Sequence, residues 1–177
     1  TKRITKLPLS LPPTLRTLRN LLRFNMSELE TEIGFWDTSN IEDMSGMFCD
    51  STNFNKDLSI WKTGNVRNMN RMFYACATFN GSLYDWDVSK VTDMGDMFNG
   101  CKKFTSNLSD WKTGKLTNII RMFRNCSEFN SDLTGFDTSN VEDMSDVFYE
   151  CFKFNGDVST WNTAKVKTMS RMFFRNE

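Results

Sequence analysis

The chain has 177 residues, with 22 basic and 22 acidic side chains and no histidine, so its formal net charge is zero. A neutral balance gives no bulk attraction to nucleic acid or an anionic membrane, and the lack of histidine removes the commonest general base near neutral pH. No run approaches the roughly 20 consecutive apolar residues that cross a bilayer, whereas a chain of this length buries roughly 70% of its unfolded surface and supports a core of its own.

Residues 1–33 are expected to form an N-terminal cap. The opening TKRITKLPLSLPPTLRTL is too interrupted by Pro, Lys and Arg to be the apolar core of a signal peptide. After Pro12 and Pro13, Thr14 is expected to start a helix carrying Leu15, Leu18, Leu21 and Leu22 on one face, covering the first repeat as terminal units of stacked arrays do. Lys2, Arg3, Lys6, Arg16, Arg19 and Arg23 make this cap basic. A solvated polar face is the ordinary reading of such a run, and a docking patch for an acidic partner is the alternative.

Residues 34–177 read as six tandem units of 25 residues, the last incomplete. Trp36, Trp61, Trp86, Trp111, Phe136 and Trp161 form one column, and Met44, Met69, Met94, Ile119, Met144 and Met169 another. Phe48, Phe73, Phe98, Phe123, Phe148 and Phe173 follow, then Phe54, Phe79, Phe104, Phe129 and Phe154. The unit is W-x-T-x-x-V-x-x-M-x-x-M-F-x-x-C-x-x-F-N-x-x-L-x-x. One such unit cannot close a core alone, but stacked copies bury the same columns against each other.

Within a unit, Met72, Phe73, Cys76 and Phe79 have helix-like spacing and predict a short helix of about two turns. The stretch from Leu58 through Trp61 and Val66 to Met69 predicts one or two short parallel strands. The expected fold class is therefore an α/β repeat: a solenoid with short parallel strands and a short helix in each coil, neighbouring coils ~4.8 Å apart. Two charged columns alternate in sign, Asp37, Lys62, Asp87, Lys112, Asp137 with Asn162, and Arg71, Asp96, Arg121, Asp146, Arg171 after Gly46. Opposite charges on adjacent strands attract, so alternation suits a stack and points to growth by duplication of a two-unit block. No cap is recognisable after Phe173, and an end-to-end contact through this last coil is expected.

The segment from Phe129 to Phe148 resembles the surface-lipoprotein repeat first noted in mycoplasmas, which is grouped with the BspA-like leucine-rich repeats. The likeness covers about residues 34 to 176. It implies a leucine-rich-repeat-like solenoid and, for many members, a cell-surface or secreted location with adhesive or host-contact roles. This chain carries Cys where the mycoplasma-type repeat often has Ala. The family supplies no catalytic or binding residues to transfer.

Several columns invite chemistry. Cys76, Cys101, Cys126 and Cys151 stand in one column, where parallel side chains disfavour disulfides and the lack of histidine and of C-x-x-C disfavours zinc. They read as small buried apolar residues, with Cys49, off the column, expected to be the most exposed thiol. The methionine columns read as core filler. Asn55, Asn80, Thr105, Asn130 and Asn155 read as backbone-satisfying turn residues, with calcium ligation by Asn55 and Asp57, Asn130 and Asp132, or Asn155 and Asp157 as the alternative. Thr38, Thr63, Thr113, Thr138 and Thr163 form a row reminiscent of ice-binding faces, but the positions two places on hold Asn or Lys, so a turn role is expected. No nucleophile elbow, phosphate loop or H-E-x-x-H occurs, and neither enzyme activity nor a cofactor or metal is expected.

What remains is variation from coil to coil over a constant core, which is how repeat arrays make recognition surfaces. Lys56, Ile60, Tyr84, Asp85, Asp110 and Thr160 are the candidate binding residues for a protein partner. The competing expectation is a structural or scaffold subunit of a larger assembly, such as a viral or organellar particle.

Overall fold

The computed structural model describes residues 7–24 and 33–176. Among them the one helical element is a 3-10 turn, Ile33–Phe35, and β pairing is confined to isolated parallel bridges such as Asp43 to Asn68 and Asn68 to Asp93. The two-turn helix and the short strands expected in each unit are not formed as regular elements. The cause lies in the backbone of the M-F-x-x-C stretch, where each unit places two residues in the left-handed region, four apart. In the second unit they are Arg71 and Ala75, at φ of 54° and 57°. Left-handed residues do not fit inside a right-handed helix.

The unit is instead a chain of tight turns, each closed by an N–H bonding the carbonyl three residues back. Trp61 bonds Leu58, Val66 bonds Thr63, Met72 bonds Met69, Cys76 bonds Phe73 and Phe79 bonds Cys76. Every one of these turns ends on an apolar column residue. A period near three therefore survives in the sequence and imitates the helical one.

Between the turns, alternate N–H groups leave the coil altogether. Those of Met44, Gly46, Phe48 and Asp50 donate to the carbonyls of Asn68, Asn70, Met72 and Tyr74 in the next coil, at 2.9, 2.8, 2.9 and 2.7 Å. The pattern recurs down the chain, with Met69 bonding Asp93 and Met94 bonding Asn118. Buried backbone groups need partners, and here the partner is the neighbouring coil rather than the residue's own helix or hairpin.

The segment before Ile33 departs from expectation in an informative way. Leu18, Asn20, Leu22 and Phe24 donate their N–H groups to Asp43, Ser45, Met47 and Cys49, in the same row. Asn20 and Phe24 are left-handed, at φ of 54° and 59°, as Gly46 and Asp50 are at 61° and 62°. The expected capping helix is thus replaced by a further coil. Leu15, Leu18, Leu21 and Leu22 take the places of Ile41, Met44, Met47 and Phe48, with Leu18 and Leu22 buried. Lys2, Arg3 and Lys6 of the basic run lie outside the described residues.

The core is a set of parallel side-chain columns. Phe73, Phe98, Phe123 and Phe148 stack at centroid spacings of 5.7 Å, and each also stacks on the second phenylalanine of its own coil at 3.9 to 4.2 Å. The indole N–H groups of Trp61, Trp86 and Trp111 reach back a coil to the carbonyls of Ile33, Leu58 and Leu83. Offset-stacked rings add about 0.5–1.5 kcal/mol per pair beyond the area they bury.

Phe98→Ala is expected to lower the unfolding free energy by about 3–5 kcal/mol in guanidinium titrations. The same change at Phe173, which is 48% exposed, is expected to cost about 1 kcal/mol. Ala75→Gly relieves a left-handed alanine and is expected to raise stability by about 1 kcal/mol.

Candidate functional site

The repeat columns that could have carried chemistry are occupied by structural bonds. Cys76, Cys101, Cys126 and Cys151 are buried and free, and their Sγ–H groups donate to the carbonyls of Phe48, Phe73, Phe98 and Phe123 one coil back, at 3.0, 3.0, 2.9 and 2.7 Å. Ser51 holds the same place in the first unit and donates to the Leu22 carbonyl at 3.0 Å. Cys49, expected to be the exposed thiol, is also buried and lies 3.3 Å from the Asp50 carboxylate. Burial pushes every thiol above its ordinary value of 9.0: Cys49 to about 11, Cys151 to about 12, and Cys76, Cys101 and Cys126 well above it.

The asparagine column is used up in the same manner. The side-chain oxygens of Asn55, Asn80 and Asn130 accept the backbone N–H groups of Asn80, Thr105 and Asn155, each at 2.8 Å. Asp57 and Asp132 accept the N–H of Ser59 and Thr134, and these bonds, with those from the neighbouring hydroxyls, hold both carboxyls below the ordinary 3.8. The side-chain oxygens of Asn55, Asp57, Asn130, Asp132 and Asp157 therefore already accept backbone N–H groups, and among the described residues no acidic or sulfur cluster gathers as a metal site. Thr38, Thr63, Thr113 and Thr138 donate to carbonyls of the following coil at 3.0 to 3.2 Å, a tie between coils rather than an ordered outer face.

Charge is arranged across the stack. Arg23 pairs with Asp50, Lys62 with Asp37, Arg67 with Glu42, and Lys167 with Glu142, each with its partner in an adjacent coil. The strongest of the two alternating columns is the second. Asp96, its side chain 7% exposed, lies 3.5 Å from Arg71 and 3.4 Å from Arg121, and Asp146 lies 3.3 Å from Arg124 and 2.9 Å from Arg171.

The six candidate binding residues fall on one edge. Ile60, Asp85, Asp110 and Thr160 share a repeat position, Tyr84 adjoins Asp85, and Lys56 precedes Ile60 by four residues; all are exposed. Phe35 holds the same position one coil earlier and is 74% exposed, beside Ile60 at 62%. The column pattern does not flag it because it precedes the first tryptophan, although counting back 25 residues from Ile60 finds it. Phe35, Lys56 and Ile60 border a cavity of about 260 Å³. Farther along, the edge turns acidic: the Asp110 carboxylate beside Tyr84 raises the phenol's ionisation above the ordinary 10.0. Thr160 spends its hydroxyl on the Thr134 carbonyl, 3.1 Å away.

Residues 16–111 and 82–177 each match a family described as Mycoplasma protein of unknown function, DUF285. The chain belongs to this family. No curated protein matches it, and no solved structure does. The first DUF285 match begins at Arg16, inside the segment whose backbone forms the extra coil, so the family likeness includes that coil as well as the regular units. Both DUF285 matches are tandem and overlapping, as a repeat of one unit requires.

The buried thiols carry a pH dependence. Unfolded thiols ionise near pH 9.0 and folded ones later, so stability is full below about pH 9 and falls as pH rises through 11 and 12. Denaturant titrations from pH 8 to 11 are expected to show this decline. Cys101→Ser, which keeps a donor for the Phe73 carbonyl as Ser51 does for Leu22, is expected to lessen it by the share of one thiol.

Proposed function

We propose that the chain is a non-catalytic, leucine-rich-repeat-like solenoid that binds a protein partner through the edge carrying Phe35, Lys56, Ile60, Tyr84, Asp85 and Asp110. The observation behind this reading is the division of labour in each coil. The repeated polar residues are consumed by bonds within and between coils, while one exposed column changes from aromatic and aliphatic to acidic along the stack. A partner that matches this edge presents apolar groups at the Phe35 end and Lys or Arg opposite Asp85 and Asp110. Aromatic and arginine anchors dominate interface energetics. The location that goes with this reading is a cell surface or the secreted space, in keeping with the resemblance of the repeat, and an adhesive role fits it.

A second reading, a subunit of a larger assembly, has its own observation. Met169 and Phe173 are 45% and 48% exposed although their columns are buried elsewhere. Among the described residues, the N–H groups of Met169, Arg171, Phe173 and Arg175 have no acceptor, whereas those of Met144, Asp146, Phe148 and Glu150 all bond the last coil. This face is basic, and Lys167, Arg171 and Arg175 pair with Glu142, Asp146 and Glu150 on the other side. The first described coil carries Arg16, Arg19 and Arg23. The charge of the last described coil matches an acidic coil, of this polypeptide or of another, stacked on it.

Peptides selected by display on the immobilised chain are expected to combine aromatic or aliphatic residues with Lys or Arg. They are expected to lose roughly tenfold or more in affinity for a variant carrying Ile60→Ser, Tyr84→Ala, Asp85→Lys and Asp110→Lys. Equal binding to that variant would show that the edge is not the interface. For the assembly reading, a synthetic peptide of residues 136–160 is expected to bind and one of residues 111–135 is not, with Met169→Lys and Phe173→Lys removing the difference. Failure of both peptides counts against it.

A further inference from the structure

We propose an oxyanion-binding site at Gly46, where the chain's own ion ladder lacks a carboxylate. The argument starts from the alternating column. Asp96 and Asp146 each sit nearly buried between guanidinium groups of the coils on either side. The first unit is acidic like the third and fifth: Asp37 and Asp43 align with Asp87 and Asp93 and with Asp137 and Asp143. By that register residue 46 should be aspartate, and it is glycine.

The structure holds a cavity of about 190 Å³ at that place, lined by Arg19, Arg23 and Arg71 together with Ser45, Gly46 and Asn70. Arg71 makes its ion pair on the far side, with Asp96, and Arg23 pairs with Asp50. Arg19 has no acidic partner among the described residues. Three guanidinium groups thus line the cavity, and of the carboxylates beside it Asp50 pairs with Arg23 and Asp43 accepts the Ser45 N–H. Ser45 supplies a second, independent sign. It is 8% exposed, it lines the cavity, and its hydroxyl has no hydrogen-bond partner among the described residues. A buried hydroxyl without a partner costs about 1–3 kcal/mol, and an oxyanion in the cavity accepts its proton.

The ligand class follows from these donors. Guanidinium groups and a hydroxyl recognise a carboxylate or a phosphate group through charge-assisted hydrogen bonds. Glycine at 46 makes room for the Asn20 carboxamide, whose oxygen reaches over it, and the cavity lies beside that group. A Cβ built there would lie 2.1 Å from the Asn20 side-chain oxygen, at a left-handed φ of 61°. Asp96 and Asp146 adopt the same left-handed conformation, at 56° and 58°, so an aspartate at 46 is compatible with the backbone once the Asn20 amide swings aside. This site is separate from the partner-binding edge and does not depend on it.

The test is thermal unfolding of the full chain in sodium phosphate and in sodium acetate, each against sodium chloride at matched ionic strength. A saturable rise of roughly a few degrees in Tm is expected from at least one oxyanion. A response to phosphate alone assigns a phosphate site, and a response to acetate assigns a carboxylate site. Gly46→Asp is expected to raise Tm in chloride and to abolish the oxyanion response, because it supplies the missing carboxylate in place. Arg71→Gln is expected to weaken the response at least tenfold without raising Tm in chloride, and it serves if Gly46→Asp does not fold. Identical Tm in all three salts overturns the site, as does an oxyanion response that survives both substitutions unchanged.

Discussion

Everything in this molecule depends on a row of backbone bonds that no coil can make for itself. In each unit the N–H groups at alternate positions, such as Met44, Gly46, Phe48 and Asp50, point along the stack and are satisfied only by the next coil. Left-handed residues at two places per unit make that orientation possible, since they break the helix that would otherwise have bonded these groups internally. The constant spacing within the row follows, because a residue inserted there would shift each donor away from its acceptor, whereas the first coil stands 26 residues before the next and carries its extra residue outside the row.

The energetic logic is that of a one-dimensional array, in which stability is approximately a sum of unit terms and nearest-neighbour terms. The neighbour terms here are of three kinds on one axis: backbone bonds, stacked rings and alternating ion pairs. The thiol, threonine, tryptophan and asparagine bonds to adjacent coils belong with the first kind, because each satisfies a backbone group. The ion pairs do something different. Exposed pairs contribute little stability, but the alternation sets which kind of coil can follow which.

Much of this was legible in the residues. The columns Trp61, Met69, Met72, Phe73, Cys76 and Phe79 are buried as their spacing foretells, and the Arg and Asp alternation at 71, 96, 121, 146 and 171 corresponds to real contacts. The backbone was not legible, because chained three-residue turns and a helix bury nearly the same periodicity, and Arg71, Ala75 and Arg121 give no outward sign of a left-handed φ. The extra coil at residues 15–24 was hidden by its chemistry. Leucine stands there for isoleucine, methionine and phenylalanine, although the spacing of Leu15, Leu18, Leu21 and Leu22 matches that of Ile41, Met44, Met47 and Phe48. At the candidate edge the six chosen residues do share a surface, but the depth beside Phe35 and the vacancy at Gly46 depend on side chains meeting between coils, which column counting does not measure.

A stack whose coils hold only their neighbours also has a mechanical character. Load applied to one end meets the bonds of a single interface at a time, because among the described residues no hydrogen bond or ion pair reaches beyond the adjacent coil. Such a body yields by shedding coils in succession, each releasing a similar length of chain, and it re-forms by laying them back on the remaining template. Where such a chain links two bodies that move apart, it works as an extensible tether with a graded rather than a sudden point of failure.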